Sequence, residues 1–186
     1  MSAKASLRGK MSARRDAMTA GERERYARSL AAVLAALPQY AGARSVLATM
    51  SIGSEVSTRP FLERARADGK SIVLPRVTAE RPRRLRLHEV AELDRDLVPG
   101  VWDIPEPDPQ RCREVELGEV DFAWIPALAV DPAGFRLGYG GGFFDKLLAG
   151  RGARPYCVAA VPAAFLVQGL PHEPHDVAVD LVLTAP

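Results

Sequence analysis

Short apolar runs, interrupted by glycine or proline about every sixth residue, limit what this chain can fold into. The sequence holds 15 glycines and 15 prolines in 186 residues. Coiled coils and helical bundles do not tolerate that density, because glycine adds chain entropy and proline removes a helical hydrogen bond. With 47% hydrophobic residues the chain can still bury a core. One domain over residues 1–186 is expected, with residues 1–40 as a helical pair belonging to it.

Leu7, Met11 and Met18 recur near helical spacing in a first helix. Thr19 with Glu22 three residues on predicts a capping box, and Tyr26, Leu30, Val33, Leu34 and Leu37 share one face of a second helix that Pro38 ends. The period then changes. Ser45–Met50 and Ser71–Pro75 read as buried strands, on either side of a helix that Thr58 caps, running through Arg66 and closed by Gly69. That is a βαβ unit by size. Leu85–His88 reads as an antiparallel edge strand. Val101–Pro107 reads as a stiff loop, since each proline holds the preceding residue extended. Gly134–Gly142 is a glycine-rich loop ahead of a short helix, Phe143–Ala149. Asp121–Pro126, Pro155–Val161 and Val179–Thr184 complete the strands. The alternation predicts an α/β fold: an open, mostly parallel sheet flanked by helices, with the site on loops at the strand ends.

Net charge is +2, from 25 Lys and Arg against 23 Asp and Glu, a balance that does not point to nucleic acid. The distribution is uneven: residues 1–40 carry net +5 and the rest net −3. The basic start admits three readings, as an organellar transit peptide, a solvated helix face, or a source of cations for an anionic ligand. No run approaches the ~20 apolar residues that span a bilayer, and no signal-peptide core is visible. Cys112 and Cys157 are too few and too far apart for a disulfide scaffold or a cysteine-built zinc site. A reducing, cytoplasmic location is the expectation.

The chemistry-bearing residues concentrate between Asp131 and Asp145, with Gly134, Gly138, Gly140, Gly141 and Gly142 among them. Glycine lets backbone approach a ligand closely, and successive N–H groups ahead of a helix make an anion cradle. Arg136 brings a forked cation suited to phosphate, and Asp145 can begin or cap the next helix and hold magnesium through oxygen. Aromatic residues after the glycines can stack on a ring. The stretch is neither a dinucleotide fingerprint nor a P-loop, and without Arg136 and Asp145 it would read as a flexible turn. Lys4 and Arg8 share a helix face and meet either one polyanion or solvent. His172 and His175 do not make a zinc site, because Pro174 breaks any helix there and no third soft ligand is near. Asp180, beyond them, is available to magnesium. Glu55 suits the N–H donors of a heterocycle or is a surface acid. Trp102 is a core or lid aromatic, or else a ring-stacking wall.

These segments fall in order along the chain: K-A-S-L-R from Lys4, M-S-I-G-S-E-V-S-T-R-P from Met50, L-P-R from Leu74, G-V-W-D-I-P-E-P from Gly100, I-P-A-L-A-V-D from Ile125, R-L-G-Y-G-G-G-F-F-D from Arg136 and H-D-V-A-V-D-L-V-L-T from His175. Together they resemble the 5-formyltetrahydrofolate cyclo-ligase, or methenyltetrahydrofolate synthetase, family over nearly the whole chain. The family pattern begins at Lys4, which removes the transit-peptide reading. The resemblance implies a fold similar to the sugar-phosphate isomerase and CoA-transferase group. It implies an enzyme that uses Mg-ATP to convert 5-formyltetrahydrofolate, polyglutamylated or not, to 5,10-methenyltetrahydrofolate, ADP and phosphate. It implies that Lys4, Ala5, Ser6, Leu7 and Arg8 bind ATP with Arg136, Leu137, Gly138, Tyr139, Gly140, Gly141, Gly142, Phe143 and Phe144. Met50, Glu55, Trp102, Tyr139 and Phe143 would line the folate site. Arg136 and Asp145 would be catalytic, and Asp145 and Asp180 would hold Mg2+. A monomer without nucleic-acid or membrane partners is expected.

Two departures accompany the resemblance. Phe144 stands where the family commonly has tyrosine, and Tyr139 and Gly141 stand where some members carry basic residues. Loss of the hydroxyl at 144 admits a second reading, a folate binder of the same fold without turnover. A third, a nucleic-acid module built on the basic start, lacks interleaved aromatics and any basic stripe elsewhere.

Overall fold

The Ser2 hydroxyl accepts the Ala5 backbone N–H at 3.2 Å and opens α1, Ala3–Asp16, in the computed structural model, which describes residues 2–150 and 152–185. Thr19 forms the expected capping box. Its hydroxyl accepts the Glu22 N–H at 3.2 Å while the Glu22 carboxylate accepts the Thr19 N–H at 2.8 Å, which starts α2, Ala20–Ala35. Pro38 does not end that helix but begins a further one, α3, Pro38–Gly42, where its missing N–H is no loss.

The strand–helix–strand unit follows as β1 (Ser45–Leu47), α4 (Arg59–Ala67) and β2 (Ser71–Val77). Thr58 stands at the start of α4 but does not cap it: its hydroxyl donates to the Thr49 carbonyl at 2.6 Å, tying the helix to the loop after β1. β3 (Leu85–Val90) returns antiparallel to β2 as expected. The segment predicted as a stiff loop is instead half of a hairpin, β4 (Leu97–Pro99) with β5 (Pro105–Pro107); proline is tolerated there because the pair stands apart from the main sheet. Next come β6 (Glu114–Val115), β7 (Phe122–Trp124) and β8 (Ala129–Val130). Arg136 and Leu137, expected in a loop, pair with β8 as β9 (Arg136–Leu137). α5 (Phe143–Leu148), β10 (Tyr156–Pro162) and β11 (Leu181–Ala185) finish the chain.

The main sheet has seven strands in the order β11-β10-β7-β1-β2-β3-β6. The five from β11 to β2 are parallel; β3 runs antiparallel to β2, and the edge strand β6 runs antiparallel to β3 and so in the direction of the five. Both faces are covered, which is why the central strands are apolar throughout. On one face Leu30 and Leu34 of α2 and Phe61 and Leu62 of α4 pack against Val46, Ile72, Phe122 and Val158. On the other, Met11 of α1 and Leu148 of α5 pack against Leu47, Val73, Ala123 and the buried Cys157. Among the described residues, no helix is long and apolar enough to cross a membrane.

Candidate active site

The carboxyl ends of β1, β2 and β7 open into one cavity of about 660 Å³. Thr49 and Met50 follow β1, Val77 ends β2, and Pro126 follows β7, so parallel strands deliver all four to one rim. The cavity has two halves. Lys4, Arg8, Arg136, Gly138, Gly140, Gly141 and Gly142 line a cationic, backbone-rich end, while Ile52, Leu74, Val77, Leu85, Trp102 and Ile104 line an apolar one.

Arg136 anchors the cationic end. Its side chain is 5% exposed, and it donates to Asp145 Oδ1 at 2.8 Å and to the Val177 carbonyl. Asp145 Oδ1 also accepts the Val177 N–H at 3.1 Å. Burial pushes the guanidinium pKa down and the Asp145 carboxylate opposes the shift, so a desolvated cation is held in a fixed direction. Asp145 does not cap α5: Gly142, at φ 61°, stands at the cap position, and Asp145 lies in the first turn. Arg8 Nε donates to the Gly138 carbonyl at 2.7 Å, and its guanidinium carbon lies 3.6 Å from where a Cβ on Gly140 would stand. Gly140 has φ 102°, a conformation that a side chain would strain. Lys4 Nζ pairs with Asp176 Oδ2 at 2.5 Å. Burial works to raise the Asp176 carboxyl, but the Lys4 ammonium and the Glu173 N–H hold it below the usual carboxylate range.

Between the halves stands Tyr139. Its hydroxyl donates to Glu55 Oε1 and accepts from Arg15, whose guanidinium carbon lies 5.6 Å from the ring centroid. Desolvation of the hydroxyl, with Glu55 beside it, pushes the phenol pKa up and keeps it a donor. Glu55 Oε2 accepts the Ile52 N–H at 2.9 Å. Trp102 is 58% exposed and meets Phe143 edge-on at 5.9 Å, with the Arg83 guanidinium 5.2 Å from its own ring centroid. It is a wall at the cavity mouth, not a core residue.

Several expected site residues fall elsewhere. Ala5 and Ser6 are exposed and Leu7 packs against the core, because the turn of α1 brings only Lys4 and Arg8 to the cavity. Leu137 is buried in the core, since strand alternation sends it opposite to Arg136. Phe144 lines the cavity. Asp180, expected with Asp145 at the magnesium, lies outside the cavity lining. It precedes β11 beside Cys157, and it binds Arg154 at 2.5 Å and the Cys157 N–H at 2.7 Å. His172 stacks on Phe135 at 3.8 Å. Among the described residues, no three His, Cys, Asp or Glu side chains converge on a metal position. Asp176 and Arg15 were missed. For Arg15 a signal existed, because positions 4, 8 and 15 share one face of a helix. For Asp176 there was none, because its partner Lys4 is 172 residues away in sequence.

Cations, glycine backbone and apolar side chains lining one cavity at the carboxyl ends of a parallel sheet define an α/β protein with its ligand cleft where that fold places one. Three likenesses narrow that class. The family model described as the 5-formyltetrahydrofolate cyclo-ligase family matches residues 1–185. The 5-formyltetrahydrofolate cyclo-ligase of Mycolicibacterium smegmatis is 35% identical, covering 76% of this chain and 73% of its own, and that of Mus musculus is 29% identical, covering 98% and 93%. The NMR structure of Aquifex aeolicus 5,10-methenyltetrahydrofolate synthetase matches with a TM-score of 0.82 at 28% identity, covering 97% of this chain and 89% of that one. The chain belongs to the 5-formyltetrahydrofolate cyclo-ligase family: it is an enzyme, a ligase of folate one-carbon chemistry.

Proposed function

We propose that the protein uses ATP to close 5-formyltetrahydrofolate to 5,10-methenyltetrahydrofolate, releasing ADP and phosphate. The observation that carries this reading is the buried Arg136–Asp145 pair, set beside a glycine cradle in the same cavity as an apolar trough. A formamide carbon is a poor electrophile. Transfer of the γ-phosphoryl group to the formyl oxygen breaks the bond to ADP and makes that oxygen a leaving group. N10 of the same folate then attacks the carbon, loses its proton, and phosphate departs. No protein nucleophile is required, so the protein's task is alignment and charge neutralisation.

Each end of the cavity suits one part of that task. Arg136, Lys4, Arg8 and the backbone N–H groups from Gly140 to Gly142 offer donors to a triphosphate. Met50, Trp102 and Phe143 offer apolar surface to a pteridine, with Glu55 and Tyr139 at the junction. A magnesium ion fits Asp145. Among the described residues only Oδ1 of that carboxylate is hydrogen-bonded, and magnesium commonly takes one carboxylate plus substrate phosphates. When bound, it would neutralise phosphate charge. Two free, buried cysteines fit a reducing, cytoplasmic location.

Purified protein, given 5-formyltetrahydrofolate and Mg-ATP, is expected to generate the methenyl chromophore and ADP together. Folded protein that changes neither signal at any concentration would sink the reading.

A further inference from the structure

Glu106 stands in the apolar half of the cavity with no part in the chemistry above. It lies on β5 with its side chain 4% exposed, and it lines the cavity with Leu74, Val77, Leu85 and Ile104. Its Oε2 is fully buried and has no hydrogen-bond partner. Arg76 reaches only to 4.0 Å, because its Nη1 donates to the Pro107 carbonyl at 2.9 Å. Burial pushes the carboxyl pKa up, opposed by the nearby N–H groups of Val77 and Val101 and by Arg76. Such a group weakens the ligand-free fold, since a desolvated carboxylate needs partners to repay lost water.

The backbone is shaped around it. A Cβ on Gly100 would lie 2.1 Å from Oε2, so only glycine lets the carboxylate sit there. Two residues on, Trp102 and Asp103 take left-handed φ values of 68° and 59°, which non-glycine residues adopt at a penalty. That turn joins β4 to β5 and carries Trp102 to the cavity mouth. Strain and a buried carboxylate oxygen without a hydrogen-bond partner among the described residues, on one short hairpin, point to a ligand that supplies the missing donor.

Reduced folates end in a 2-amino-4-oxopyrimidine ring. Its N3–H and 2-amino group form a paired donor edge that matches the two oxygens of a carboxylate. We infer that Glu106 is a substrate-binding and specificity-determining residue that receives this donor edge at the apolar end of the cavity. The inference rests on the folate reading above. It leaves Glu55, already engaged by Tyr139 and the Ile52 N–H, to a different part of the substrate.

Calorimetric titration without ATP tests it, pairing two ligands with three proteins. The ligands are 5-formyltetrahydrofolate and its analogue with methyl in place of the 2-amino group. The proteins are wild type, the near-isosteric Glu106→Gln, and Gly100→Ala, which displaces the carboxylate without removing it. Both variants are expected to bind the parent folate about 10- to 100-fold more weakly, as loss of a charged hydrogen bond requires. The analogue is expected to bind wild type and Glu106→Gln alike. A Glu106→Gln affinity for the parent within about twofold of wild type overturns the inference, as does an equal loss for both ligands. Wild-type protein that binds no folate overturns the functional reading and this inference with it.

Discussion

Arg136 carries its charge with very little water around it, and that is what makes its shape matter. The guanidinium has two fixed acceptors, Asp145 Oδ1 and the Val177 carbonyl, so its remaining donors keep one direction. Lysine at this position would keep the charge but not the planar fork. Arg136→Lys is therefore expected to lower kcat by roughly a hundredfold, the scale of losing one oriented donor to transition-state charge. Circular dichroism should be unchanged, and a wild-type kcat would mean that the fork is not used. At this scale the sequence was informative about residues that belong to a local pattern. Arg136, Glu55 and the glycines announce themselves by their neighbours. Asp180 shares its motif's order but lies outside the cavity lining: a motif records which residues follow one another, not where they stand around a cavity. Glu106 lies inside W-D-I-P-E-P without standing out, because nothing in that stretch reveals that its carboxylate is buried with Oε2 lacking a hydrogen bond among the described residues.

Among the elements, α2 is the most predictable and the least involved in chemistry. Its capping box satisfies two backbone donors by reciprocal hydrogen bonds, and its apolar stripe buries Leu30 and Leu34 against the sheet. Thr19→Ala is expected to destabilise the protein by about 1 kcal/mol in urea unfolding while leaving kcat unchanged. A change in kcat would tie this helix's cap to the site. The β4–β5 hairpin is the opposite case. Its prolines argued for a loop, yet proline is compatible with a strand whose N–H side needs no partner, and Pro99 pairs across from Pro105. Local propensity settles an element when its partners are close in sequence. It fails where a strand's neighbour decides whether a missing donor matters.

Across the whole molecule, acid sensitivity is set by groups that the fold holds away from their ordinary pKa. His88 is buried with Nδ1 unpartnered, and burial pushes its pKa down; Arg76 adds to that and Glu114 opposes it. The unfolded chain takes up a proton at this side chain near pH 6.5 while the native chain still resists it. Stability from the neutral imidazole is therefore present above that pH and lost as pH falls below it. Asp121, held low chiefly by the Arg44 N–H, adds a second loss only below about pH 4. Urea midpoints are expected to begin falling near pH 6.5 in wild type. In His88→Leu that first decline should vanish, and an unchanged profile would assign it to other groups.

The pairing of Lys4 with Asp176 joins residues 172 positions apart. A chain made from its amino end displays Lys4 and Arg8 long before the carboxylate that fixes Lys4 is added. Loop closure of that span comes late, after the sheet has drawn the ends together. The cationic end of the cavity is thus completed only when the sheet is nearly whole.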